Sequence, residues 1–210
     1  MKRSLETIYK KLYARFGPQG WWPGDSPFEV MVGAILTQNT SWTNVAKAVG
    51  NLKAKKVLNA KKLSCLPQDQ LARLIRPAGY YNLKAKRLKN FLNFFLKNYQ
   101  GSIKVMAAKR TDQLRDDLLA VNGIGPETAD SILLYALQKP VFVVDAYTKR
   151  IFSRHGICKP DALYDEVQDL FMRNLSCRAK LFNQYHALLV KLGKDFCRKS
   201  KPRCEICPLK

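Results

Sequence analysis

An aspartate occurs in the run Val143-Val144-Asp145-Ala146-Tyr147-Thr148-Lys149-Arg150, where a short apolar stretch gives way to a helical pattern. A carboxylate at the start of a helix stays ionised near neutral pH, because the helix dipole favours negative charge there. It can cap the helix, and it can also stabilise a developing positive charge or direct a nucleophile. The residue types admit both roles, and the two are compatible. A second set of reactive groups stands near residue 200, where Cys197, Cys204 and Cys207 follow the spacing C-x6-C-x2-C, with Pro208 after them. Thiolates so placed can wrap one metal centre, and zinc is one reading of the spacing. Cys65, Cys158 and Cys177 stand apart and are expected to be buried apolar residues.

A third feature could hold an anion. Asn122-Gly123-Ile124-Gly125-Pro126 joins two apolar helical patterns. Glycine tolerates positive φ and lets a ligand approach the backbone, while proline suits the first position of the second helix. Glycines also end helices, so Gly-x-Gly alone decides little. The full pattern, a helix-hairpin-helix, offers free backbone N–H groups to phosphate without reading sequence.

The elements that must carry these groups are helical. Leu5, Ile8, Tyr9, Leu12 and Phe16 recur at helical spacing and stop before Gly17-Pro18. Phe28 to Leu36 is apolar almost all round, as in a buried helix. Thr40 or Ser41 could cap the next helix, and further helices are expected over Lys84 to Leu96, Thr111 to Val121, Pro126 to about Gln138, from Ala146, Tyr164 to Asn174, and Ala179 to Gly193. Strand-like alternation is absent, so the predicted fold class is all-α.

Charge points to the partner. The 210 residues carry a formal net charge of +21 and are 47% hydrophobic, which excludes a disordered chain and calls for a polyanionic partner, nucleic acid first, or an anionic membrane surface. Residues 30 to 111 hold sixteen Lys or Arg and one acid, Asp69, and so supply +15 of the total. Runs such as Lys53, Lys55, Lys56, Lys61 and Lys62 also suit solvated helix faces, but such faces usually mix both signs. The missing acids make this segment look like an electrostatic footprint.

The hairpin, the Val-Val-Asp sequence after it and the three spaced cysteines together resemble the endonuclease III superfamily of DNA glycosylases, over nearly the whole chain. The resemblance implies two α-helical domains with DNA in the cleft between them. Residues 28–138 would form a six-helix domain that includes the hairpin at 114–137, and residues 1–27 with 139–210 the second domain, with a Cys-rich loop at 197–207. Asp145 matches the catalytic Asp of the family, implied to stabilise an oxocarbenium-like sugar and to orient the nucleophile. Gly123, Ile124 and Gly125 would bind the DNA backbone. Cys197, Cys204 and Cys207 resemble three of the four ligands of a [4Fe–4S] cluster, with the fourth falling six residues past Cys207, so the sequence is truncated or the ligand replaced. Some alkylbase members of the family lack the cluster.

Bifunctional members carry a lysine nucleophile on the second hairpin helix. Counted from Gly123-Ile124-Gly125, that position here is Glu127, which cannot form a Schiff base. A monofunctional glycosylase with water as nucleophile is expected. Trp21-Trp22-Pro23-Gly24 and Trp42, with Arg76-Pro77-Ala78-Gly79-Tyr80-Tyr81-Asn82, resemble the 3-methyladenine branch. Trp21, Trp22, Pro23, Trp42 and Glu127 are the implied pocket for a flipped, cationic alkylpurine, stacked on electron-rich rings; packing beneath a loop is the other reading of each tryptophan. Gln38 or Asn39 would fill the gap the base leaves, and the resemblance does not separate them. A mismatch glycosylase acting on T·G, U·G or adenine, a bifunctional glycosylase/lyase and a DNA-binding module without activity are the alternatives. The partner is double-stranded DNA with a damaged base. The start has no apolar run after its basic residues, so a secretory signal is not expected and the cytoplasm, nucleoid-associated in a prokaryote, is the expected location; a monomer with no membrane partner is expected.

Overall fold

A computed structural model describes residues 4–210; the basic start Met1-Lys2-Arg3 lies outside them. The described residues form twelve α-helices and no strand. The all-α class is therefore the observed one. No helix among them is long and apolar enough to cross a membrane.

The chain divides into two compact units, one holding residues 4–22 with Gln138–Lys210 and the other Pro23–Leu137. The unit Pro23–Leu137 contains α2 (Pro27–Leu36), α3 (Trp42–Ala54), α4 (Ala60–Cys65), α5 (Gln68–Leu74), α6 (Tyr81–Tyr99), α7 (Ile103–Ala108), α8 (Thr111–Leu119) and α9 (Pro126–Ser131). The helix after the hairpin does not run regularly to Gln138. It widens into a π-type turn at Ile132–Ala136 and stops. Every residue of α2 from Glu29 to Leu36 is buried, and the helix packs against α3, α6, α9 and the π turn. Its sequence, apolar all round, dictates that central place, since each buried Val, Ile or Leu contributes about 1.5–3 kcal/mol. Ser26 caps it by accepting from Glu29 N at 3.2 Å. Lys53 pairs with both Asp25 and Glu29 at 2.7 Å, which fastens the Pro23–Ser26 loop to this unit. Ser41 occupies the cap position of α3, but its hydroxyl makes no cap bond.

The other unit contains α1 (Leu5–Phe16), α10 (Ala146–Arg154), α11 (Tyr164–Asn174) and α12 (Ala179–Asp195). α12 packs against both α1 and α10. Tyr185 Oη donates to Leu5 O at 2.9 Å and ties the two ends of the unit together. The core is aromatic. Phe142 stacks on Phe171 with centroids 3.7 Å apart, and Phe182 and Tyr185 meet Phe142 edge-on. Val141 to Val144 lies outside any helix and is buried in this core, so the residue after it emerges at a fixed point.

Candidate active site

That residue is Asp145. Gln168 Nε2 donates to Phe142 O at 2.6 Å and Val144 N donates to Tyr164 Oη at 3.3 Å, so α11 holds the segment before it. Asp145 is the N-cap of α10, as its sequence context suggested, and one oxygen does this work. Oδ1 accepts from Thr148 N at 2.7 Å and from Thr148 Oγ1 at 2.9 Å. Oδ2 faces the imidazole of His186 on α12, with Nε2 at 3.5 Å. Burial pushes the carboxyl toward the neutral form. His186 and the two Thr148 donors outweigh it, and the pKa lies below the ordinary carboxylate value. The result is an anchored carboxylate, 12% exposed, held ionised in an apolar unit.

The hairpin lies in the other unit, after α8. Gly123 has φ +96°, and a Cβ there would fall on the stem of Arg87, onto Cγ and 2.9 Å from Cδ. Gly125 is different: it is exposed, and a Cβ would meet nothing within 4 Å. The first glycine is needed by the fold, and the second leaves open backbone. The carbonyls of the turn are tied inward. Asn90 Nδ2 donates to Asn122 O at 3.0 Å, and Gln38 Nε2 donates to Gly123 O and to Thr128 Oγ1, both at 3.0 Å. Arg87 Nη1 donates to Gln38 Oε1. Ile124 is buried beneath the turn.

The two neighbouring residues of the α2–α3 loop are thus unlike. Gln38 is half-buried with its amide engaged on the hairpin, while Asn39 is exposed with φ +52°. Buried Lys84 braces the same loop, its Nζ donating to Leu36 O at 2.9 Å and to Ala78 O at 2.7 Å. The second of these carbonyls precedes the turn that carries Tyr80, which is left-handed and 69% exposed. Desolvation, and then the charge of Arg87, lower the Lys84 pKa to about 8.

Trp21 and Trp22 belong to the unit of Asp145 and meet edge-on at 5.7 Å, with Lys194 Nζ 5.8 Å from the Trp21 ring centre. Trp21 Nε1 is buried without a hydrogen-bond acceptor. Pro23, Trp42 and Glu127 belong to the hairpin's unit, with Trp42 half-buried at the start of α3 and Glu127 exposed in the first turn of α9.

Cys197, Cys204 and Cys207 line one cavity of about 280 Å³, together with Arg154 and Arg203. Arg154 Nη1 donates to Cys197 Sγ at 3.4 Å, and Arg150 Nε donates to Cys197 O at 2.8 Å, so α10 grips the loop. Among the described residues no three acids, histidines or cysteines stand close enough to hold a metal ion. The three thiols are soft donors of the type iron–sulfur clusters take, and they share this cavity with the Arg154 guanidinium. The other cysteines depart from expectation. Cys65 and Cys177 are exposed and Cys158 is half-buried, because Cys65 ends a short surface helix and Cys177 lies in the loop before α12.

Sequence reasoning missed Lys84, Arg87, Thr128, Thr148 and His186. Thr148 was legible as the third residue after a cap, and His186 as one of only two histidines in the chain. Lys84 carried no signal, sitting among Lys86, Arg87 and Lys89.

A helical fold with a hairpin and a capped, ionised aspartate after it defines the class. The chain matches the family described as HhH-GPD superfamily base excision DNA repair protein over residues 32–177, and it belongs to that superfamily of DNA glycosylases. It is 53% identical to "Putative DNA repair glycosylase MJ1434" of Methanocaldococcus jannaschii, over 98% of this chain and 94% of that one. Among solved structures it is similar to the H. pylori 3-methyladenine DNA glycosylase (MagIII) bound to 1,N6-ethenoadenine, at 33% identity and TM-score 0.81, covering 91% of this chain and 98% of that one. A non-covalent endonuclease III–DNA complex shares the fold at 23% identity and TM-score 0.85, covering 100% and 93% of the two chains.

Proposed function

We propose that this protein is a monofunctional glycosylase that releases N3-alkylated purines, 3-methyladenine above all, from double-stranded DNA. The observation that carries the reading is Glu127, a carboxylate exposed at the place where a lyase would present an amine. The likeness to the 3-methyladenine glycosylase of H. pylori supports the choice of base.

Asp145 is the catalytic group. As the N-glycosidic bond breaks, positive charge grows on the sugar, and an ionised carboxylate already held by Thr148 stabilises it without reorganising. Water attacks, and an abasic site is the product. An N3-alkylated purine is cationic and leaves readily, so stacking on electron-rich rings suffices to select it. Lys194 already stands over Trp21 and opposes a cation there. The residues proposed to contact the base are Trp21 and Trp22 of the one unit and Pro23, Trp42 and Glu127 of the other.

Gly123 and Gly125 present backbone N–H groups to a phosphate, and Ile124, whose own N–H donates to Val121 O at 3.0 Å, anchors the turn that binds the DNA backbone. Asn39 fills the gap left by the flipped base, since Gln38 is spent on Gly123, Thr128 and Arg87. Cys197, Cys204 and Cys207 would hold three corners of a [4Fe–4S] cluster, which when bound supplies a rigid cross-link for a basic loop. The protein acts as a monomer in the cytoplasm.

Strand integrity tests the monofunctional reading. Duplex DNA carrying the alkylated base should stay unbroken until alkali is added; a protein–DNA adduct trapped by borohydride would overturn it.

A further inference from the structure

The two oxygens of Asp145 have different surroundings. Oδ1 receives both donors of Thr148, at 2.7 and 2.9 Å. A carboxylate pinned through one oxygen can still swing the other. Oδ2 meets His186, which comes from α12, an element that contributes nothing to the cap. The imidazole is 5% exposed and abuts Phe142 edge-on, with centroids 6.4 Å apart. Phe142 is itself fixed by its stack on Phe171 and by Gln168 on its carbonyl. The Nε2 edge of the ring is turned to the carboxylate. Its Nε2, 3.5 Å from Oδ2, stands at the edge of hydrogen-bond reach, the spacing of catalytic contacts that tighten only once substrate is bound.

We propose that His186 is a positioning residue for Asp145, fixing the plane of the carboxylate so that Oδ2 stays aimed at the reacting sugar while Oδ1 caps α10. The inference rests on the reading of Asp145 as the catalytic group. It adds a second element, α12, to the machinery and divides the labour between the two oxygens.

Single-turnover base release from methylated duplex at saturating enzyme tests it, with DNA affinity and thermal melting measured on the same samples. His186→Phe fills the space without a donor and should slow release about tenfold or more while the dissociation constant for DNA stays within about twofold. His186→Gln, which carries an N–H donor near the place of Nε2, should stay within about threefold of the parent, whereas His186→Asn, whose donor falls short, should be slowed like Phe. A role in packing alone would lower melting temperatures and leave the three release rates alike, and equal rates overturn the proposal. Should His186→Phe fail to fold, the Gln and Asn pair decides by the same criterion. Asp145→Asn is the control. If it is inactive while all His186 variants match the parent, only the His186 proposal falls; if it turns over like the parent, the assignment of Asp145 falls.

Discussion

Arg87 and Gly123 compete for one volume: the arginine stem lies where a Cβ of the glycine would stand, at a φ of +96° that L-residues rarely adopt. Gly123→Ala should therefore cost about 1–3 kcal/mol of stability, from strain and from displacing Arg87 off Gln38. Gly125→Ala meets no atom within 4 Å at φ −97°, so stability should hold to within about 0.5 kcal/mol. DNA affinity should fall in both, because the second methyl group intrudes on exposed backbone. Urea unfolding and DNA titration on the pair separate a fold requirement from a ligand requirement.

Asp145 should leave a mark on acid stability. Its folded pKa lies below the ordinary value, since His186 and Thr148 outweigh desolvation. Its contribution is present above the unfolded carboxylate value, about 3.9, and is lost as pH falls through the lower folded value. Asp145→Asn should flatten the decline of unfolding free energy below about pH 4, as read by urea unfolding at stepped pH.

Lys84 should act at the alkaline end with the opposite history. Its folded pKa of about 8 lies under the ordinary lysine value of about 10.4, so over that interval the unfolded chain binds a proton that the folded chain has released. Unfolding free energy should rise with pH across the window, by roughly 1–3 kcal/mol. The neutral amine still donates to Leu36 O and Ala78 O. Lys84→Met should abolish the rise, measured by denaturant titration at several pH values.

How far these features could be read beforehand follows from their physics. Asp145 was legible because capping is local: an apolar run, an aspartate and a threonine three residues on suffice. The hairpin was legible for the same reason, with glycine and proline marking the turn. Lys84 was not. In a run of four cations within six residues it counted toward an electrostatic footprint, yet it is buried, and Lys89 is half-buried with Nζ donating to Leu63 O and Ser64 O. Both cap carbonyls from distant elements, which no local pattern encodes. Cys65 and Cys177 failed in the reverse direction, since a lone cysteine says nothing of its own exposure. His186 meets Asp145 across some forty residues of chain, so only the packing of α12 on α10 brings them together.

The C-terminal cysteines carry their own expectation. Anaerobic reconstitution with iron and sulfide should produce visible charge-transfer absorbance, and Cys197→Ser should remove it together with part of the thermal stability, because the substitution takes away both a cluster ligand and the sulfur that Arg154 of α10 contacts. A chelator should have the same effect on the reconstituted protein.

The central claim is settled by chromatography of the bases released from methylated duplex DNA. The protein should liberate 3-methyladenine and leave alkali-labile, unbroken strands, and Asp145→Asn should release it at least about a hundredfold more slowly while still binding DNA. Release of thymine from T·G mismatches with no 3-methyladenine, or undiminished release by Asp145→Asn, would contradict it.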